Sequence, residues 1–297
     1  MGTPEFAVPS LQILVENNFE VVAVITSADK FGGRGRKQLI ESPIKKYAVN
    51  QGIDVLQPTN LKNPKFVETL HSYKADLQVV VAYRMLPEVV WNMPKLGTMN
   101  LHGSLLPKFR GAAPIHWAVI KGEKETGCTT FLLKHAIDTG DILMQSKFSI
   151  GEKDNTGIIH DKMMQVGADL VLKTVKAIES GNYTTTPQDP SLVSKAPKLF
   201  KENTAIDFKS KVEDVYNFIR GLNPIPGAWT SINDVEFKIF HCEKDYQTIS
   251  DGRFISNNKD YLKLACSDGY IDVKNLQMSG KKRMDIKDLL NGYNFKF

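Results

Sequence analysis

Between residues 20 and 133, five short runs rich in valine and other β-branched residues are separated by single helical patterns. The runs are Glu20–Thr26, Asp54–Gln57, Asp76–Tyr83, Thr98–Leu101 and Cys128–Leu133. Val8–Asn17 precedes them, Pro43–Gln51, Pro64–Ser72 and Ala113–Lys121 lie between them, and a long pattern over Thr156–Ser180 follows. Ser42-Pro43 reads as a helix cap followed by proline in the first turn. Strands apolar on both faces and joined through helices require a sheet covered on both sides. The first two thirds of the chain are therefore predicted to be α/β, a doubly wound and mostly parallel sheet of the Rossmann-like kind. In such sheets ligands bind beyond the carboxyl ends of the strands.

The pattern changes after residue 181. Residues 182–204 form a linker in this reading, because Tyr183–Phe200 holds three prolines and little periodicity. One helix is predicted at Val212–Leu222. Beyond it, short alternating segments at Phe237–His241, Gly252–Ser256, Tyr261–Ala265 and Tyr270–Val273, with turns at Asn233-Asp234, Asn257-Asn258 and Ser267-Asp268-Gly269, predict a small β-barrel or sandwich over 205–297. The start is unusual: Met1-Gly2-Thr3-Pro4 supplies the turn expected after a first sheet strand, without the strand. Either the sheet begins one strand late or Met1 is an internal methionine.

Cys128, Cys242 and Cys266 lie far apart with no C-x-x-C spacing, which supports neither a disulfide framework nor a zinc ribbon and fits a reducing cytosol. No apolar run approaches the roughly 18 residues of a membrane helix, so no membrane association is expected. The net charge of +5 is small for 297 residues, but it is unevenly placed. Residues 29–46 hold Lys30, Arg34, Arg36, Lys37, Lys45 and Lys46 against Asp29 and Glu41, whereas 201–297 is near balance. With Gly32, Gly33 and Gly35 among them, these residues read as a mobile basic loop suited to an anionic partner such as a phosphate backbone, or as an ordinary solvated loop.

Asn100-Leu101-His102-Gly103-Ser104-Leu105-Leu106-Pro107 is the densest chemical candidate. Asn100 and His102 are two apart at a strand end and so project to one side. An amide and an imidazole held together can receive a developing oxyanion and move a proton. A lone N-x-H pair is more often a hydrogen-bonded strand end, but a second polar loop, His135-Ala136-Ile137-Asp138-Thr139-Gly140-Asp141, follows a neighbouring strand. From there Asp138 can stabilise an imidazolium at His102, although D-T-G-D by itself reads as a turn. No G-x-G-x-x-G, Walker lysine, G-x-S-x-G or H-E-x-x-H is present, and the other histidines show no ligand spacing.

Asn100-x-His102 running into SLLPKFRGAAPI, with HAIDTGDIL some thirty residues on, resembles the 10-formyltetrahydrofolate-dependent formyltransferases. GTPEFAVP at the start, the GGRGRK loop and a linker followed by a β domain carry the likeness over essentially the whole chain, and toward those members that act on aminoacylated tRNA. The resemblance implies a formyltransferase in which Asn100, His102 and Asp138 are catalytic. Ser104, Leu105, Leu106, Pro107, Tyr83, Leu86 and Pro87 would line the folate site, and Arg34, with Arg36 and Lys37, would meet the tRNA. The implied reaction moves a formyl group from 10-formyltetrahydrofolate to the free α-amino group of initiator methionyl-tRNA through a tetrahedral intermediate, for translation initiation. No metal is expected, the expected state is a cytoplasmic monomer, and the carboxyl-terminal domain is expected to be an OB-like barrel suited to RNA. The chain departs from the family pattern in lacking a strand before Met1 and in placing Arg84 where a small residue is common. Transfer to a sugar-nucleotide amine, to glycinamide ribonucleotide or to water is the nearest rival reading. A non-catalytic RNA-binding module is a more distant one; the GGRGRK loop and the β domain favour tRNA.

Overall fold

The computed structural model describes residues 1–32, 35, 37–247 and 254–297. They divide into two compact units, one formed by residues 1–111, 127–148 and 160–195 and the other by 112–126, 149–159 and 196–297.

The chain begins with α1 (Val8–Glu16), β1 (Val24–Ile25), β2 (Lys30–Gly32), β3 (Gln38–Ile40), α2 (Pro43–Asn50), β4 (Val55–Leu56) and α3 (Pro64–Ser72). It continues with β5 (Gln78–Val81), α4 (Glu88–Trp91), β6 (Thr98–His102), β7 (Arg110–Gly111), α5 (Pro114–Ile120), β8 (Glu125–Leu132), β9 (Ile142–Ser149), α6 (Thr156–Glu179) and β10 (Lys195–Ala196). Helix starts follow local chemistry. The Ser42 hydroxyl accepts from the Lys45 amide and the Asn63 side chain from the Lys65 amide, each with a proline in the first turn, so that donors left free at a helix start are satisfied.

In the first unit β1 pairs in parallel with β4, and a second sheet runs in the order β5-β6-β8-β9. Strands β5 and β6 are parallel, β6 and β8 antiparallel. The run predicted as a strand over Glu20–Thr26 is laddered only at Val24–Ile25. Its far edge faces a cavity of about 710 Å³ lined by apolar residues such as Leu11, Leu14, Val22 and Val79 and by charged ones such as Glu20, Asp76 and Lys95. Met1 and Gly2 join the two sheets at the end of that cavity. The Met1 amine donates to the Val79 carbonyl at 2.7 Å, the Val81 amide to Met1 at 2.9 Å, and the Gly2 amide to Ile25 at 3.1 Å. A core of Ile25, Leu61, Leu70, Val80, Leu86 and Val90 lies against this sheet and anchors the loops that leave it.

The second unit contains α7 (Val212–Leu222), β11 (Ala228–Ile232), β12 (Val235–Asp245), β13 (Ile255–Ser256), β14 (Leu262–Ala265), β15 (Tyr270–Met278), β16 (Met284–Asp285) and α8 (Ile286–Leu290). The sheet order is β11-β12-β15-β14-β13, with β16 added on β15, and every printed pairing is antiparallel. It forms a curled half-barrel. Asn233 and Asp234 both take positive φ, 49° and 61°, the geometry a two-residue hairpin needs to match strand twist. Helix α7 buries Val212, Val215, Ile219 and Leu222 against Phe237, Ile239, Leu264, Ile271 and Leu276. Among the described residues no helix is long and apolar enough to cross a membrane.

Candidate active site

Strand β6 places Asn100 and His102 on one side, with Met99 and Leu101 buried on the other. Among the described residues the half-buried Asn100 side chain has no hydrogen-bond partner, so its amide donors remain available. His102 is 5% exposed, and its Nε2 lies 2.9 Å from the Phe109 carbonyl. A carbonyl only accepts, so Nε2 carries a proton and the ring orientation is set. Phe109 itself has φ +60°, and its amide donates to the Ser194 hydroxyl at 2.9 Å.

The other ring nitrogen, Nδ1, faces Asp138, whose Oδ2 is 3.8 Å away. That separation is an ion-pair distance and too long for a direct hydrogen bond. The same Oδ2 accepts the Gly111 amide at 2.8 Å. Asp138 stands in the left-handed region at φ +54°, in a loop fixed by several contacts. The Thr139 hydroxyl donates to Ala136 at 2.9 Å, and Lys134 pairs with Asp141 at 2.8 Å. Gly140 packs so closely that a Cβ there would fall 1.6 Å from the Leu132 carbonyl oxygen. Gly140→Ala is expected to displace the loop, costing about 1–3 kcal/mol in overpacking and lowering turnover as Asp138 moves. Thermal denaturation beside a transfer assay checks this, and an unchanged melting temperature with full activity would contradict it.

The segment after β6 is strapped down by two residues that sequence reasoning passed over. The Thr129 hydroxyl donates to the Ser104 carbonyl at 2.7 Å and accepts the Leu106 amide at 3.0 Å. Gln145 Nε2 donates to the Leu106 carbonyl at 2.8 Å and to the Thr129 hydroxyl at 2.9 Å. Ser104 is fully buried, its hydroxyl donating to Lys108, and Leu106 is also buried, whereas Leu105 and Pro107 are half-buried. Thr129 and Gln145 sit in strands as ordinary polar residues, with no local motif to mark them.

At the end of β5, the Ala82–Pro87 loop carries Tyr83, Leu86 and Pro87. Among the described residues the buried Tyr83 hydroxyl has no hydrogen-bond partner, while Leu86 belongs to the sheet core and Pro87 is half-buried. Arg84 clamps the loop, its guanidinium donating to the carbonyls of Pro58 and Thr59 and lying 5.8 Å from the Tyr83 ring centroid. The residue that departs from the family pattern thus holds the loop in place.

The basic segment is built on a hairpin, β2 pairing with β3 so that Phe31 opposes Leu39. Phe31, Leu39 and Ile40 are exposed, as is Lys37. Lys45 pairs with Asp29 and with Glu41 at the base of the hairpin and is therefore committed internally. Arg34 and Arg36 lie outside the described residues. Also among those residues, no group of three or more His, Cys, Asp or Glu side chains could hold a metal ion.

Residues 1–175 match the sequence family described as formyl transferase, and residues 198–294 match the formyl transferase C-terminal domain. The chain belongs to the formyl transferase family. It is 50% identical over 304 residues to a methionyl-tRNA formyltransferase of Bacteroides fragilis, covering 99% of this chain and 94% of that protein. It is 46% identical over 302 residues to the methionyl-tRNA formyltransferase of Flavobacterium johnsoniae, covering 99% and 95%. Among solved structures, the N-formyltransferase of Helicobacter canadensis, in complex with folinic acid and dTDP-3-aminofucose, shares the fold. It matches with TM-score 0.69 and 23% identity over 95% of this chain and 97% of that one. HypX of Aquifex aeolicus, in complex with tetrahydrofolic acid, matches with TM-score 0.59 and 19% identity over 82% of this chain and 43% of its own.

Proposed function

We propose that this chain transfers the formyl group of 10-formyltetrahydrofolate to the α-amino group of initiator methionyl-tRNA in the cytoplasm, using Asn100, His102 and Asp138. The observation that carries the acceptor is the likeness, at about half of all positions and over nearly the whole length, to enzymes named for that reaction. The polar groups gathered at the carboxyl ends of β5 and β6 support the chemistry, because this is where a sheet of this kind presents ligands.

The residues present fit a folate. A buried, unpartnered Tyr83 hydroxyl in a wall shared with Leu86 suits a flat ring with polar edges. Tyr83, Leu86 and Pro87 would hold it from one loop, and Leu105 and Pro107 from the other, with Ser104 and Leu106 shaping that loop from within. When bound, the folate supplies a formyl carbon already activated on its N10.

Asn100 donates its amide N–H to the formyl oxygen as negative charge develops there. His102 adds a second donor at Nδ1, since Nε2 is committed to Phe109. At 3.8 Å the Asp138 carboxylate stabilises an imidazolium through space without taking the Nδ1 proton as a direct hydrogen bond. That N–H stays available to the oxyanion, and because a protonated Nδ1 has no lone pair for the attacking amine, the proton the amine sheds is the one N10 of tetrahydrofolate takes up as the C–N10 bond breaks and the folate leaves. Arg34, Arg36 and Lys37 are assigned to the acceptor arm of the tRNA, where basic side chains release counterions from phosphates.

The deciding experiment offers 10-formyltetrahydrofolate with either charged initiator tRNA or a dTDP-amino sugar. Formylation of the tRNA alone is the expected result. Formylation of the sugar alone would overturn the acceptor assignment, and no transfer to either would overturn the reading entirely.

A further inference from the structure

The stretch after α6 is exposed at residues 184–187 and again at 189–192, yet Gln188 between them is half-buried. Its side chain uses both ends. Nε2 donates to the Asp138 carbonyl at 2.9 Å and to the Gly140 carbonyl at 2.8 Å. Oε1 accepts from Arg110 Nε at 3.0 Å and from Arg110 Nη2 at 2.7 Å. Arg110 precedes Gly111, whose amide donates to the Asp138 carboxylate. One amide therefore joins the loop that carries Asp138 to the loop that positions its carboxylate and receives the His102 Nε2 proton.

The neighbouring backbone reinforces this placement. Thr186 and Ile142 exchange amide hydrogen bonds at 2.8 and 2.9 Å, and the Arg110 amide donates to the Ser194 carbonyl at 2.9 Å. Gln188 is thus pinned on either side by backbone pairings to the two loops it joins. Asp138 needs such an anchor, because a non-glycine residue at φ +54° costs free energy unless its surroundings hold it.

We propose that Gln188 is a positioning residue for the transfer reaction, holding Asp138 at its distance from His102 Nδ1 by tying the Asp138 and Gly140 carbonyls to Arg110. The assignment rests on the reading of Asp138 given above. Gln188 touches no reacting atom and acts through Asp138, so its removal changes turnover and leaves the binding of both substrates nearly unchanged. A misplacement near 1 Å in a catalytic group can cost on the order of 10²-fold in rate.

The test compares the full chain carrying Gln188→Met, close in size but without donors or acceptor, with Gln188→Glu, which keeps the Arg110 partner and loses both donated bonds. Each is also placed in an Asp138→Asn background, and melting temperatures are recorded. Both single variants are expected to lower kcat on the order of 10²-fold, with KM for tRNA and for the formyl donor changed less than about threefold. In the Asp138→Asn background the same changes are expected to cost less than about threefold, the non-additivity of two residues that act as a unit. If the methionine variant does not fold, the glutamate variant decides alone. A loss of equal size in both backgrounds, or full activity of both single variants, would overturn the proposal. An Asp138→Asn enzyme of full activity would instead overturn the reading of the site and the proposal with it, whereas impaired Asp138→Asn beside intact Gln188 variants overturns the proposal alone.

Discussion

Replacing His102 by alanine is expected to lower kcat/KM for formyl transfer by at least 10²–10³-fold, about 3–4 kcal/mol of transition-state stabilisation, while the chain stays folded. The magnitude follows from what the ring does. Its Nε2–H is committed to Phe109, so in the proposed mechanism Nδ1–H is the donor left for the oxyanion, and alanine removes it. The ring is 5% exposed and packs where two loops meet, so a side-chain void accompanies the change. His102→Asn serves as the companion, restoring a short polar side chain without a titrating group. Single-turnover transfer on charged tRNA is the measurement, because it separates chemistry from product release. A loss below about tenfold in both variants would remove His102 from the reaction.

The second large effect is expected at Asp138→Asn. One oxygen, Oδ2, both accepts the Gly111 amide and faces His102 Nδ1, so an asparagine with its carbonyl oxygen in that place keeps the geometry and removes only the charge. At 3.8 Å an effective dielectric near 20 gives an attraction of about 4 kcal/mol between a carboxylate and an imidazolium, an upper limit for what the substitution forfeits. Both side chains are largely buried, so screening by salt is weak. The expected result is a loss of about 10²–10³-fold in kcat, with thermal stability nearly unchanged. Turnover within about threefold of the parent would show that the carboxylate acts only as a loop anchor.

Much of the first unit could be read from local chemistry. Ser42 and Asn63 announce helix starts because a side-chain oxygen and a following proline answer needs that lie within a few residues. Asn100 and His102 could be paired because strand geometry alone puts them on one side. Strand β9 was not predicted: Ile142–Ser149 is half-buried or exposed throughout, so no apolar run marks it. The run at Glu20–Thr26 was legible as a strand, but its laddered length was not, since that depends on what lies at each edge. Thr129, Gln145 and Gln188 could not be found from the sequence for a different reason. Their partners are backbone groups and side chains tens of residues away, 48 to 78 in the case of Gln188, and a polar residue carries no mark of a distant carbonyl.

The path of residues 184–196 bears on how such enzymes can be recombined. A chimera that exchanges everything after residue 181, in order to combine the formyl transferase C-terminal domain of one relative with the rest of another, also exchanges Gln188 and Ser194. Those residues belong by their bonds to the loops of Phe109, Arg110 and Asp138, and would then come from one parent while the loops come from the other. A crossover placed after Ala196 keeps Gln188 and Ser194 with the loops to which they are bonded. Exchange of the two halves is thereby constrained by a connecting strap that looks, on composition, like the freest place to cut.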